Sequence, residues 1–357
     1  MRHALLSDVH GNLEALDAVL ADLATRGVED VACLGDFVGY GASPAECIAR
    51  LRGRVAVALL GNHDEGVLRP ETLVAFNPLA AEAARCIERV ERKQHTLMFL
   101  LADGLCGDQT EVVRGAYDVC GAHVPLMGGC AGDDMALQST RQIHEGTLLT
   151  HAVVAAAISS DAPMAIGIAH GWQPLSEPML VTESHGTTVV SLDDRPALDV
   201  YLDAYDAPAE VREDPAAFFR FAHTRPIGIA RRNRTEIRYV YSADYEKRTV
   251  TVFAEVPQGA MAYLMQGSCN SVLEATAEVC ALAEESLEGH PARGFMVLEC
   301  VARKSMLDQE GLLDASLRLP TVKEGISVGG FYTYGEIART DGAGGLHNQT
   351  VVALAVA

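Results

Sequence analysis

Short apolar runs alternate with amphipathic stretches through about the first ninety residues. A leucine recurs at helical spacing from Leu13 to Leu23, Pro44 is placed to start a second helix, and Pro78 opens an alanine-rich one that runs to about Lys93. The run 55–60 is continuously apolar, which is typical of a strand covered on both faces. The alternation of strand and helix predicts a parallel βαβαβα segment. Its predicted strands are 3–6, 31–34 and 55–60.

The pattern changes near residue 95, beyond which strands and turns predominate. Predicted helices are 108–120, 196–205, 215–222 and 271–288. Predicted strands are 95–102, 236–241, 249–255, 294–300, 330–337 and 350–357. The sequence as a whole therefore predicts a mixed α/β fold, in which the parallel βαβαβα half is joined to α+β domains.

Composition and charge exclude several classes of protein. The 357 residues carry a net charge of −20 and contain no basic run, so we expect no nucleic-acid partner. The longest apolar runs are too short to cross a bilayer, and no signal peptide precedes the first strand, so we expect no membrane partner. The nine cysteines form no C-x-x-C pair and most lie in apolar runs, which indicates a reducing compartment. We therefore expect a cytoplasmic protein.

Polar clusters follow each of the first three predicted strands. They contain Asp8 and His10, then Asp36, then Asn62 and His63. The carboxyl ends of parallel strands meet at one edge of a sheet, so we expect these side chains to converge there. Carboxylate, imidazole and amide groups are suitable ligands for Mn, Fe, Zn or Mg ions, and two such ions can activate a water for phosphoryl transfer. The sequence therefore predicts a site for one or two divalent metal ions.

The stretches SDVHGN, GDFVGYG and GNHDE, in this order and spacing, resemble the first three signatures of the calcineurin-like metallophosphoesterases. The resemblance covers about residues 1–90. It implies that Asp8 and His10 bind a first metal ion, that Asp36 bridges two ions, and that Asn62 binds the second.

The same resemblance implies a catalytic role for the end of the third signature. His63 would donate a proton or hydrogen bond to the leaving group, and Asp64 would orient it. The family completes its site with later histidines in His-Gly and Gly-His-x-His signatures, and the second of these is not found here. The His-Gly pairs at 170–171 and 185–186 match the His-Gly signature in these two residues alone. Whether the segment is an enzyme therefore stays open.

The remainder of the chain resembles the FIST domains, in stretches such as VPLMGGCAGDD, AHGWQPLSEPMLVT and GGFYTYGEIART…LHNQT. The resemblance implies an intracellular sensory module that binds a small ligand such as an amino acid. It also divides the chain into a partial metallophosphoesterase segment at 1–94, an incomplete FIST N-terminal-type domain at 95–205 and a FIST C-terminal-type domain at 206–357.

Several polar and aromatic residues of this part are candidate ligand contacts. An Asp-Asp pair after glycines suits a cation or a ligand amine, but also a capped turn. The single tryptophan and the tyrosines near residue 333 suit either a pocket or the core, and the His-Asn pair near the C-terminus suits a pocket or a turn. These candidates are Asp133, Asp134, Trp172, Tyr332, Tyr334, His347 and Asn348.

Two functional hypotheses follow. In the first, the protein is a FIST-type sensor in signal transduction that carries a metal-binding segment of metallophosphoesterase origin. In the alternative, it is a dinuclear metal-dependent phosphoesterase that hydrolyses a phosphoester substrate under regulation by the FIST region. Both resemblances are interrupted at their junction, which predicts an unpaired sheet edge near 55–60 or 95–102 and a homo-oligomer as one way to cover it.

Overall fold

The computed structural model divides into two compact units, Met1–Phe76 and Asn77–Ala357. The residues that the structure describes are 2–7, 9–28, 30–35, 37–38, 43–59, 64, 78–105, 109–231, 234–304, 306–307, 326–340 and 345–357. Within this part of the chain, no helix combines the length and apolar composition needed to cross a bilayer.

The first unit contains the parallel sheet that the sequence predicts. Strands β1 (His3–Leu6), β2 (Asp30–Cys33) and β3 (Val55–Ala58) lie in that order, and both pairings are parallel. The connections carry helices α1 (Leu13–Thr25) and α2 (Pro44–Leu51). The predicted alternation of strand and helix is thus confirmed over this segment.

One face of this small sheet is more open than its sequence predicts. Leu16, Cys47 and Leu51 on the helices are buried around Cys33, whereas Leu5 is 71% exposed, and Val57 and Leu59 are exposed as well. The expectation of a strand covered on both faces was therefore wrong for β3. The continuous apolar run marks strands that have two apolar faces, and among the described residues helices cover only one of them.

The second unit is built on many short strands and a few helices. Its helices are α3 (Pro78–Ala84), α4 (Gln109–Cys120), α5 (Ala197–Ala204), α6 (Pro215–Ala222), α7 (Cys269–Glu285) and α8 (Val301–Lys304), with 3-10 turns at Arg85–Arg89 and Ala209–Arg212. Its strands are β4 (His95–Asp103), β5 (Leu126–Ala131), β6 (Gln142–His144), β7 (Thr147–Leu149), β8 (Val153–Ser160), β9 (Met164–Ala169), β10 (Gln173–Pro174), β11 (Met179–His185), β12 (Thr188–Leu192), β13 (Arg195–Pro196), β14 (Ile227–Ala230), β15 (Thr235–Arg238), β16 (Val240–Asp244), β17 (Thr249–Val252), β18 (Met261–Gln266), β19 (Gly294–Cys300), β20 (Ser327–Thr333), β21 (Glu336–Arg339), β22 (Leu346–His347) and β23 (Val351–Val356).

Among the described residues these strands form three main sheets and the β6–β7 hairpin. A five-stranded sheet has the order β22-β21-β5-β4-β8, and a four-stranded sheet has the order β20-β19-β23-β9. A nine-stranded antiparallel sheet follows the path β15-β14-β18-β11-β12-β17-β16, with β10 and β13 at its side. Parallel and antiparallel pairs occur together in the first two sheets, which confirms the mixed α/β class.

Helices cover these sheets through apolar faces. Helix α7 begins at a capping box formed by Ser268 and Ser271, and its residues Ala275, Val279 and Ala283 pack on β9 and β23. Helix α3 packs through alanines against α4 in the core of the second unit. The two compact units therefore divide before α3, and the predicted boundary after residue 94 lies further along the chain.

Within the described residues, only one of the two predicted sheet edges is open. Strand β4 pairs with β5 on one side and with β8 on the other. Within the described part of the chain, β3 pairs with β2 alone. An unpaired edge at 55–58 is the feature that the homo-oligomer prediction needs, and that oligomer stays a prediction.

Candidate functional site

The strand-end loops of the first unit meet, as the signatures predict. The amide of Gly11 donates to the carbonyl of Phe37 at 3.0 Å, which joins the loop after β1 to the loop after β2. Asp64, from beyond β3, is buried and accepts from the amides of Phe37 at 2.8 Å and Val38 at 3.1 Å. His10 Nδ1 lies 3.0 Å from the carbonyl oxygen of Val38. All three loops therefore converge at the carboxyl edge of the sheet.

Two of the six predicted metal and catalytic residues, His10 and Asp64, lie within the described part of the chain. Asp8, Asp36, Asn62 and His63 lie outside the described residues. The bond from His10 to a backbone carbonyl is the kind that orients metal-binding histidines, so the described geometry fits a metal ligand there. Within the described residues no three His, Cys, Asp or Glu side chains form a metal-binding group. The metal site and the roles of His63 and Asp64 stay predictions.

The second unit contains a cavity of about 340 Å³ with a largely polar lining, here called the polar cavity. One wall is the turn after β9, which contains His170 and Trp172, and another is the N-terminal half of α7. The third wall contains Arg234 and His347. Four separate parts of the chain thus supply its lining, which is why no single motif reveals it.

Charges of both signs line the polar cavity. Glu274 and Glu278 are exposed residues on α7, and their spacing of four residues places both on the same face of the helix. Arg234 is the cationic residue among the described residues of the lining, and its guanidinium lies 3.4 Å from Glu236. A ligand that carries both a carboxylate and an ammonium would find a partner for each group.

The two histidines of the polar cavity are neutral near pH 7. His170 Nδ1 accepts from the amide of Trp172 at 2.9 Å, and burial lowers the pKa of His170 to about 4. His347 Nε2 donates to the carbonyl of Ala338 at 3.0 Å, and burial lowers the pKa of His347 to about 4 as well. Among the described residues of the lining, Arg234, Glu274 and Glu278 therefore carry the charge.

A fully buried arginine holds two of these walls together. Arg303 donates to the carbonyls of His170 at 2.9 Å and Val272 at 2.8 Å, and to the hydroxyl of Thr276 at 2.9 Å. It also pairs with Glu299 at 3.0 Å. Because His170 belongs to the turn and Val272 and Thr276 to α7, Arg303 fixes the distance between the turn and the helix.

A second cavity of the same unit, of about 150 Å³, is almost entirely apolar and is here called the aromatic cavity. Its lining includes Leu105, Met135 and Leu137, together with side chains from α6 onward. Its aromatic lining consists of Phe219, Tyr239, Tyr241, Phe253 and Tyr334. Asn348 supplies an amide to this lining; it is 3% exposed, and its Oδ1 has no hydrogen-bond partner in the described structure.

A strained loop closes one side of the aromatic cavity. Asp134, Met135 and Leu137 have left-handed φ values of 54°, 66° and 53°, which are unfavourable for residues other than glycine. The Asp133 carboxylate accepts from three backbone amides of this loop, at 2.7 to 3.0 Å, and from the hydroxyl of Tyr334. The hydrogen bond from Tyr334 holds the pKa of Asp133 well below its usual range.

The segment 347–350 separates the two cavities. His347 and Thr350 line the polar cavity, whereas Asn348 lines the aromatic one. The carbonyl of Gln349 accepts from the indole of Trp172 at 3.0 Å. The side-chain amide of Gln349 donates to the carbonyl of His223 at 2.6 Å. Adjacent residues therefore face different ligand-sized spaces.

The predicted ligand residues are distributed over both cavities. Trp172 and His347 line the polar cavity, and Tyr334 and Asn348 line the aromatic one. Asp133 holds the loop described above. The structure places Asp134 and Tyr332 elsewhere: both are exposed and flank Lys304, whose ammonium lies 3.4 Å from Asp134 and 5.7 Å from the Tyr332 ring centre.

Sequence reasoning missed the charged members of the polar cavity. Arg234, Glu274 and Glu278 were not among the predicted ligand residues. The one available signal was the pair of glutamates four residues apart on a predicted helix. Such pairs usually mark a solvated face, and only the fold shows that this face borders a cavity.

Two archaeal proteins share stretches of sequence with this chain. An uncharacterized protein of Methanocaldococcus jannaschii, MJ0912, is 46% identical over 97 residues, which cover 27% of this chain and 40% of that protein. A second from the same organism, MJ1623, is 23% identical over 170 residues, which cover 45% of this chain and 33% of that protein. The chain thus spans less than half the length of either relative.

A crystal structure of a metallophosphoesterase from Sphaerobacter thermophilus matches 29% of this chain and 48% of its own, with 33% identity and a TM-score of 0.19. That TM-score is too low to show a shared fold. The family models cover far more: the FIST N domain matches residues 17–195, and the FIST C domain matches residues 197–339. The N-domain match begins earlier than the predicted start at residue 95. By these matches, the chain belongs to the FIST family.

Proposed function

We propose that this protein is a small-ligand sensor whose ligand is an amino acid bound in the polar cavity. The observation that carries the proposal is the presence of both charge signs in the lining of one cavity, which contains Arg234 together with Glu274 and Glu278. An α-carboxylate needs a cation and an α-ammonium needs carboxylates, and charge-assisted hydrogen bonds supply most of the selectivity for such groups.

The origin of the walls supports a sensory role. The turn with His170 and Trp172 lies within the FIST N match, and Arg234 and the α7 glutamates lie within the FIST C match. A ligand that contacts both domains binds best to one arrangement of the two, so its binding shifts their conformational equilibrium. The size also fits, since a cavity of about 340 Å³ holds a molecule as large as an amino acid.

The charge partners give a prediction with a matched control on the same helix. We expect Glu278→Gln to weaken amino-acid binding about tenfold, because a charge-assisted hydrogen bond to the ammonium becomes a neutral one. Glu285→Gln changes an exposed glutamate at the end of α7 that does not line the cavity, and should leave the affinity unchanged.

The measurement is the shift in melting temperature of each variant over a panel of L-amino acids, because a ligand that binds the folded state stabilises it. For any amino acid that binds, its amide and its deaminated acid serve as probes of the two charged groups. Both should bind more weakly. A flat response of the unaltered protein to the whole panel, or equal losses in Glu278→Gln and Glu285→Gln, would contradict the proposal.

A second candidate function rests on the first unit. The strand-end loops converge there, with His10 and Asp64 bonded to the loop after β2, and this supports a phosphoesterase site that takes a phosphoester substrate. Divalent ions held by Asp8, His10, Asp36 and Asn62 would supply a nucleophilic water. The chain's own share would be the bond from His10 to the backbone, which orients that ring, and the carboxylate of Asp64, which fixes the loop after β2.

This alternative has a direct test. We expect hydrolysis of bis-(p-nitrophenyl) phosphate in the presence of Mn²⁺ to disappear in Asp36→Ala and to persist in Asp22→Ala. The second variant removes an exposed carboxylate of α1 that pairs with Arg26. The control separates loss of a metal ligand from loss of negative charge. Absence of bound metal and of hydrolysis in the unaltered protein would exclude the phosphoesterase.

A further inference from the structure

The described lining of the polar cavity carries more negative than positive charge. Glu274 and Glu278 are anionic and Arg234 is cationic, while the two histidines are neutral near pH 7. All three charged side chains are within reach of a ligand, because both glutamates are exposed and the side chain of Arg234 is 28% exposed. An amino acid with an uncharged side chain would balance the arginine and one glutamate, and would leave the other glutamate without a cation.

The protein itself does not neutralise these glutamates. Within the described part of the chain, neither Glu274 nor Glu278 takes part in an ion pair. The buried arginine behind the turn and α7 supplies no spare charge, since Arg303 pairs with Glu299 at 3.0 Å. Two carboxylates therefore border the cavity with no cation of the chain assigned to them in the described structure.

The positive charge of Arg234 has a different environment. Its neighbour Glu236 lies 3.4 Å away, but that carboxylate also pairs with Arg231 at 2.9 Å and with Arg238 at 3.1 Å. One carboxylate shared by three guanidiniums cannot cancel the charge of all three. Arg234 therefore still attracts a ligand carboxylate.

The spacing of the glutamates indicates where a ligand would carry its cations. Residues four apart on a helix have Cβ atoms about 5–6 Å from each other, so two cations separated by a short chain can each meet one carboxylate of α7. The same lining includes Ile168, Ala169 and Trp172. These side chains provide apolar surface for the methylene groups that join the two cations.

We propose that the ligand of the polar cavity is a basic amino acid, whose side chain ends in a second cationic group as in L-lysine. This inference rests on the proposed amino-acid site and names the class of its ligand. Arg234 binds the α-carboxylate and Glu278 binds the α-ammonium, which leaves Glu274 for the cation of the side chain.

The test compares L-lysine with L-norleucine, which has the same methylene chain without the terminal ammonium. Dissociation constants for the full chain are measured by isothermal titration calorimetry. We expect lysine to bind about tenfold more tightly, which corresponds to one charge-assisted hydrogen bond at an accessible site. Lysine that binds no more tightly than norleucine would overturn this inference, and the amino-acid proposal would stand if any amino acid binds. Absence of binding by every amino acid would overturn both.

Two variants on the same helix then locate the second cation. Glu274→Gln should reduce the preference for lysine over norleucine to about onefold and leave the affinity for norleucine unchanged. Glu285→Gln removes an equal charge from an exposed position of α7 outside the lining, and should preserve the preference. A preference that survives in Glu274→Gln, or that falls equally in both variants, would contradict the assignment.

Discussion

Replacement of Arg303 by methionine should lower the free energy of unfolding by about 3–5 kcal/mol, which is the cost of breaking a buried ion pair from one side. The substitution leaves the carboxylate of Glu299 without its cation, and it removes the donors to His170, Val272 and Thr276. Methionine fills similar space but satisfies none of these acceptors. Denaturant unfolding, followed by the fluorescence of Trp172, measures the loss in the unit that contains both residues.

The neighbouring residue provides the control for this prediction. Lys304 is partly exposed, and its ammonium lies 3.4 Å from the exposed Asp134. Lys304→Met removes one positive charge, as Arg303→Met does, and should cost at most about 1 kcal/mol because exposed pairs contribute little. Equal effects of the two substitutions would mean that Arg303 does not hold the turn to α7.

Gly171→Ala should destabilise the second unit far more than Gly186→Ala. Both glycines follow a histidine and both have left-handed φ, at 77° and 58°, so alanine costs about 1–2 kcal/mol at either position. A Cβ at Gly171 would also come within 2.3 Å of the carbonyl oxygen of Ser271, whereas a Cβ at Gly186 meets nothing within 4 Å. The added overpacking costs about 1–3 kcal/mol more.

The same comparison has a functional readout. The clash would push the turn that contains His170 and Trp172 away from the N-terminal part of α7, and both are walls of the polar cavity. We therefore expect amino-acid binding to weaken at least about tenfold in Gly171→Ala and to persist in Gly186→Ala. Similar stability and affinity in the two variants would show that the close approach at Gly171 is not required.

Local patterns predicted the regular elements well, because each depends on residues close in sequence. The parallel strands and helices of the first unit follow from apolar runs and helical spacing, and α7 follows from its capping serine and apolar face. The run 330–337 was predicted as one strand, but it divides at Tyr334 between β20 and β21. The backbone amide of Tyr334 donates to the carbonyl of Cys130 on β5, so the chain passes there from the four-stranded to the five-stranded sheet. An apolar pattern records burial and cannot show which sheet provides it.

The candidate site was predicted only where a residue is unusual by itself. Trp172 is the single tryptophan, and His347 lies in a polar stretch between two predicted strands, so both were candidates and both line the polar cavity. Arg234 and Glu278 are ordinary charged residues in sequence. Only the folded structure brings Arg234, the α7 glutamates and the C-terminal segment together around the polar cavity. The orphaned acceptor of Asn348 is likewise visible only when its surroundings are known.

The fluorescence of Trp172 tests the central claim most directly. It is the single tryptophan of the 357 residues, is 3% exposed, lines the polar cavity and donates its indole N–H to Gln349. Titration with the amino acids other than tryptophan should change its emission in a saturable way for at least one of them. The half-saturation concentration should then rise about tenfold in Glu278→Gln and stay unchanged in Glu285→Gln. Emission that no amino acid alters in the folded protein would contradict the account.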